Sequence, residues 1–151
     1  MLQAGVKAPD FTLQDQSGRE RSLRDFLGRR VILYFYSKDM TAGCTKQACG
    51  FAELYPQFAE KNAEVIGVSR DTAASHKRFA EKYGLPFVLL ADPDRQVIGA
   101  YDVWKEKTMY GKPVMGVVRT TYLIDETGII VKAFGGVKAA DNPRQMLEAL
   151  G

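Results

Sequence analysis

The sequence has little of the chemistry that braces a small protein covalently. Only two cysteines, Cys44 and Cys49, and one histidine, His76, occur among 151 residues. A structural zinc site usually takes four ligands, so this set makes a poor one, and no metal is expected. A Cys-x-x-Cys pair, the expectation for a disulfide oxidoreductase of the thioredoxin type, is also missing. No apolar run approaches the roughly 20 residues of a membrane-spanning helix. The N-terminus lacks a charged start followed by an apolar stretch, so no secretory signal is read and a cytoplasmic location is expected. In a reducing compartment, a close cysteine pair serves catalysis, redox sensing or metal binding more readily than it forms a static staple. An excess of one sign of charge is missing as well: 21 lysines and arginines stand against 18 acids, for a net charge of only +3. The densest basic cluster, Arg19, Arg21, Arg24, Arg29 and Arg30, is broken by Glu20 and Asp25. It reads as a solvated turn region, because no aromatic platform or reading helix accompanies it, and no nucleic-acid partner is expected.

What is present suits one domain over residues 1–151. The composition is 46% hydrophobic and 26% charged, enough for a core without staples. Residues 8–18 read as a short strand ending in a turn. Val31–Tyr36 and Glu64–Ser69 are apolar, β-rich runs of the kind covered on both faces of an α/β sheet. Between them the period changes: Phe51, Leu54, Tyr55 and Phe58 share one helical face, with Pro56 expected to kink or divide the helix. Asp71 or Thr72 caps a helix to Tyr83, which Gly84 stops. A strand over Phe87–Leu90 and a short helix through Ala100 follow. Two strands, Arg119–Ile124 and Ile129–Phe134, flank the hairpin turn Asp125–Gly128, and Asn142-Pro143 opens a last helix. The order implies an α/β fold, a central mixed β-sheet with helices on both faces.

Cys44 falls just after a strand and in the first turn of a helix. A helix N-terminus offers unpaired N–H groups and a positive dipole end, both favouring the reactive thiolate. Gly43 lets the backbone approach a ligand closely, and Thr41 can direct its hydroxyl at the same pocket. On position alone a second reading fits equally well, a buried cysteine that merely fills space. Arg119, taken alone, reads as a strand-end charge. His76 lies with Phe79, Ala80 and Tyr83 on one helical face, either a catalytic base or a half-buried packing residue, the latter preferred. Trp104, Tyr110 and Met115 either wall a pocket or pack.

Thr41-Ala-Gly-Cys44 resembles the peroxidatic loop of peroxiredoxins, Pro-x-x-x-Thr-x-x-Cys. The continuation to Cys49, Cys-Thr-Lys-Gln-Ala-Cys, resembles the bacterioferritin comigratory protein, or peroxiredoxin Q, branch. The similarity extends through Ala8-Pro-Asp-Phe-Thr-Leu, Tyr34-Phe-Tyr36, Val65-Ile-Gly-Val-Ser, Phe79-Ala-Glu-Lys-Tyr-Gly-Leu-Pro-Phe, Tyr101-Asp-Val-Trp and Arg119-Thr-Thr-Tyr-Leu-Ile-Asp. The resemblance implies a thioredoxin-like fold and a thiol peroxidase acting on hydrogen peroxide and organic hydroperoxides. Cys44 would attack, Thr41 would hydrogen-bond the peroxide and Arg119 would complete the site. Cys49 would resolve the sulfenic acid as an intramolecular disulfide, and thioredoxin would recycle it. Gly43, Gln47 and Tyr36 would support the site. No cofactor is implied, and members of the branch are often monomeric.

Two residues depart from the pattern. Ser37 stands where the family has proline, seven residues before the cysteine, and Ala42 replaces a second proline common in the branch. Proline at the first position fixes the backbone beside the nucleophile. Ser37→Pro is therefore expected to raise peroxidase kcat/KM in steady-state assays, and no change or a fall would contradict this.

Overall fold

The computed structural model describes residues 1–151. The apolar run that follows Arg30 forms β3 (Arg30–Phe35), after β1 (Thr12–Asp15) and β2 (Glu20–Ser22). A long helix, α1 (Ala42–Glu60), then leads to β4 (Ala63–Ser69), α2 (Ala73–Tyr83), β5 (Val88–Ala91) and α3 (Gln96–Ala100). The chain ends in β6 (Trp104–Met109), β7 (Lys112–Val117), β8 (Thr120–Ile124), β9 (Ile130–Phe134) and α4 (Asn142–Ala149). Seven strands form one sheet in the order β2-β1-β5-β4-β3-β8-β9, and β6 and β7 make a separate hairpin. The β3–β4 and β4–β5 pairs are parallel and the others antiparallel, so the sheet is mixed.

Alternation along the buried strands divides the core in two. Val31, Leu33 and Phe35 join α3 and the Leu23–Asp25 turn on one face. Ile32 and Tyr34 join Phe51, Phe58, Phe79 and Met146, from α1, α2 and α4, on the other. The helices do lie on both faces, but the three longer ones share one. Gly67 in β4 makes room on that face: a Cβ there would come within 2.9 Å of both Leu89 Cδ2 and Tyr34 Cζ.

The α2 boundaries match the expected signals. Thr72 accepts a hydrogen bond from the Ser75 amide at 3.1 Å, and Gly84 caps the C-terminus in the left-handed region with φ 61°. Pro56 does not divide α1, which runs unbroken to Glu60. The ring sits on the exposed side of the helix, where water can serve the carbonyl group that proline's missing N–H leaves free. The β6–β7 hairpin and the three-residue β2 were not expected from the sequence. The basic cluster is largely tied down by acids and carbonyls. Arg21 pairs with Asp15, Arg24 with Asp10 and Arg29 with Glu64, while Arg30 donates to the Leu150 and Lys61 carbonyls.

Candidate active site

The end of β3, a short loop and the start of α1 bring Cys44 to the base of a helix. Thr41 is the N-cap, in extended conformation. The first bonded amide of the helix is that of Thr45, which reaches the Thr41 carbonyl at 2.9 Å. The Gly43 and Cys44 amides precede it and have no partner within the chain, so the helix opens with free donors beside the sulfur. Cys44 is buried and Cys49 half-buried, both as free thiols on the same helix.

Arg119 reaches this point from the segment just before β8. Its Nη2 lies 3.4 Å from Cys44 Sγ, and its Nη1 donates to Gln47 Oε1 at 2.5 Å. The side chain of Gln47 is fully buried. Its amide donates to Asn142 Oδ1 at 3.0 Å, and Thr121 Oγ1 donates to the same oxygen at 2.8 Å. Asn142 in turn donates to Gln145 Oε1 at 3.0 Å. The guanidinium is thus steered by a relay running from α1 to the start of α4. Gly43 lies against it: a Cβ there would stand 3.4 Å from Arg119 Nη2, in ordinary contact.

Thr41 Oγ1 donates to the Lys38 carbonyl at 2.7 Å. Its hydrogen is committed, so the hydroxyl faces any ligand as an acceptor. Ser37 is exposed and its amide makes no hydrogen bond within the chain, so a proline ring there would displace no bond.

The expected residues Thr41, Gly43, Cys44, Gln47 and Arg119 therefore lie together at the start of α1 and the neighbouring strand end, while Cys49 sits further along the same helix with no side-chain hydrogen bond to them. Tyr36 does not join them directly. Its hydroxyl donates to Asp39 Oδ1 at 2.6 Å, and its ring stacks on Tyr34 with centroids 5.4 Å apart. His76 is fully buried rather than half-buried, with its Nδ1 2.7 Å from Asp39 Oδ2 and its Nε2 3.0 Å from the Leu90 carbonyl oxygen. Trp104 is half-buried with Arg70 and Arg95 over its ring. Tyr110, at the hairpin tip, is 97% exposed and Met115 53% exposed, so neither packs.

Three residues of the region escaped sequence reasoning. Asn142 looked like a helix start and nothing more, and Thr121 like an ordinary strand residue. Tyr34 carries a buried hydroxyl with no hydrogen-bond partner. Burial, reinforced by the neighbouring Cys44 and Asp39 charges, pushes its phenol well above the ordinary tyrosine range, so it stays protonated and available as a donor.

The AhpC/TSA family model matches residues 4–133. The chain belongs to the AhpC/TSA family. It is 44% identical to peroxiredoxin Bcp of Bacillus subtilis, over 99% of this chain and 95% of that protein. Peroxiredoxin Bcp of Escherichia coli K12 is 43% identical over 93% of this chain and 90% of its own length. Among solved structures, a cysteine-to-serine mutant of Xylella fastidiosa PrxQ superposes with a TM-score of 0.94 at 37% identity, covering 99% of this chain and 96% of that one. The bacterioferritin comigratory protein of Xanthomonas campestris, whose structures address alkyl peroxide reduction, gives 0.91 at 39% identity, over 98% and 97% of the two chains. These relatives place the chain in the Bcp/PrxQ branch.

The relay makes Gln47 a brace for Arg119. Gln47→Ala should leave the guanidinium without its acceptor and slow the reaction of Cys44 with peroxide about tenfold, the rate equivalent of ~1.4 kcal/mol, within the usual range for one lost buried partner. Stopped-flow kinetics with limiting peroxide measure this, and an unchanged rate would show that Arg119 needs no brace.

Proposed function

We propose that this peroxiredoxin reduces hydrogen peroxide and organic hydroperoxides with Cys44 as nucleophile and Cys49 as resolving thiol. The observation that carries the reading is the Arg119–Cys44 contact of 3.4 Å at the open end of α1. A guanidinium is always charged and presents several donors. Beside the sulfur it stabilises negative charge as that charge moves from sulfur to the departing oxygen. The free Gly43 and Cys44 amides add donors to the same position, and Thr41 Oγ1 accepts from the peroxide O–H.

The sulfur attacks the terminal peroxide oxygen and the O–O bond breaks. The departing alkoxide takes a proton and leaves as an alcohol, or as water when the substrate is hydrogen peroxide. Cys44 is left as a sulfenic acid, and the Cys49 sulfur attacks it, releasing water and forming the disulfide. A dithiol reductant of the thioredoxin type returns both cysteines to thiols. The protein works in this reading as a cytoplasmic monomer without a cofactor.

Geometry imposes a condition on the second step. Residues five apart in an α-helix have Cα atoms roughly 8.6 Å apart, from ~1.5 Å rise and ~2.3 Å radius. A disulfide needs them within about 7 Å. Both cysteines are helical in α1, so the first turns must unwind before the bond closes.

One equivalent of peroxide followed by mass spectrometry tests the roles. The wild type should lose two hydrogens, and Cys49→Ser should gain one oxygen on Cys44. Cys44→Ser should show no fast reaction. Oxygen retained on wild-type Cys44 with Cys49 still free would overturn the resolving role.

A further inference from the structure

The loop Ser37–Thr41 carries the N-cap of the catalytic helix, yet four of its five side chains stay at least partly exposed. Asp39 alone is buried. Its carboxylate accepts from Tyr36 Oη at 2.6 Å and from Ser75 Oγ at 2.8 Å, and Oδ2 lies 2.7 Å from His76 Nδ1. Its amide donates to Asp71 Oδ2 at 3.0 Å, and Ser69 Oγ donates to that same oxygen at 2.5 Å. His76 Nε2 lies 3.0 Å from the Leu90 carbonyl oxygen. A carbonyl only accepts, so Nε2 is the donor in that contact. The loop is therefore tied through α2 to β5 by a fully buried imidazole–carboxylate pair.

We propose that Asp39 and His76 are a positioning pair that holds the Ser37–Thr41 loop, and with it the first turn of α1, in the form that reacts with peroxide. The inference rests on the reading of Cys44 and Cys49 given above. Neither side chain touches the sulfur; both act through Thr41, two residues beyond Asp39. Swinging the loop away would leave a buried imidazole without its partner, a costly arrangement. The pair thus weights the balance between the folded turn, which peroxide attack needs, and the unwound turn, which disulfide closure needs. Tyr36 reinforces it, since burial pushes its phenol well above the ordinary range and keeps it a donor to Asp39. The ligand atoms of Asp39, Asp71 and His76 lie within 4.8 Å of one another. Hydrogens from Tyr36, Ser69, Ser75 and the Asp39 amide already point into this group, so the cluster serves as an anchor and not as a cation site.

The two chemical steps separate this role from simple destabilisation. Asp39→Asn and His76→Gln, measured by stopped-flow with limiting peroxide, should each slow oxidation of Cys44 at least tenfold. Disulfide closure should be as fast as in the wild type or faster. The double variant should oxidise no more slowly than the slower single one, because each removes the same pair. If these variants fold poorly, Tyr36→Phe and Ser75→Ala each remove one contact to Asp39 and should slow oxidation two- to fivefold in the same pattern. Oxidation within twofold of wild type in all variants, or equal slowing of both steps, would overturn the proposal. Failure of the underlying reading would look different: the wild type itself would form no Cys44–Cys49 disulfide.

Discussion

The contact between Arg119 and Cys44 is the constraint around which much of the polar interior is arranged. A guanidinium can be brought to a buried sulfur only if its other donors find acceptors and its bulk finds space. Gln47 supplies an acceptor, Asn142 and Thr121 fix Gln47, and the start of α1 at Gly43 lies alongside the guanidinium. These residues come from α1, α4 and β8, so the site depends on the assembled fold and not on the cysteine motif alone. The same dependence explains why α4, far along the chain, packs against α1 and presents Asn142 at its first turn.

In the proposed reading, the helix that activates Cys44 also keeps Cys49 out of reach. As long as α1 is intact, the free amides and Arg119 serve the sulfur, while the helical spacing forbids the disulfide. Catalysis by this pair of cysteines, as proposed, would need two conformations with opposed requirements. In that cycle the first turns of α1 would have to be stable enough to bind and polarise a peroxide, yet weak enough to melt. Buried ties on the loop before the helix are one means of setting that balance, and a serine at position 37, where a proline would stiffen the loop, is another.

Much of this was legible in the sequence where local chemistry dictates structure. Thr72 and Gly84 bracket α2 as a cap and a left-handed stop should, and Asn142-Pro143 opens α4. The unbroken apolar runs of β3 and β4 became neighbouring buried strands. The β6–β7 hairpin was not legible, because β6 is largely charged, β7 contains a proline, and neither strand has an alternating buried apolar face. Its one local signal is Tyr110-Gly111, where both residues have positive φ, as a two-residue hairpin turn requires. Within the site, the cysteines, Thr41 and Arg119 were legible through resemblance. The pairing of Asp39 with His76 was not, since 37 residues separate them and only the packing of α2 beneath the loop brings them together.

In the proposed cycle the opening turns of α1 are required for one step and must vanish for the next. Amide hydrogen exchange over residues 42–50, compared between the reduced protein and its Cys44–Cys49 disulfide, tests this most directly. From Thr45 onward, where intrahelical hydrogen bonds begin, amides should be protected in the reduced form and lose that protection in the disulfide form. Equal protection in both states would contradict the requirement.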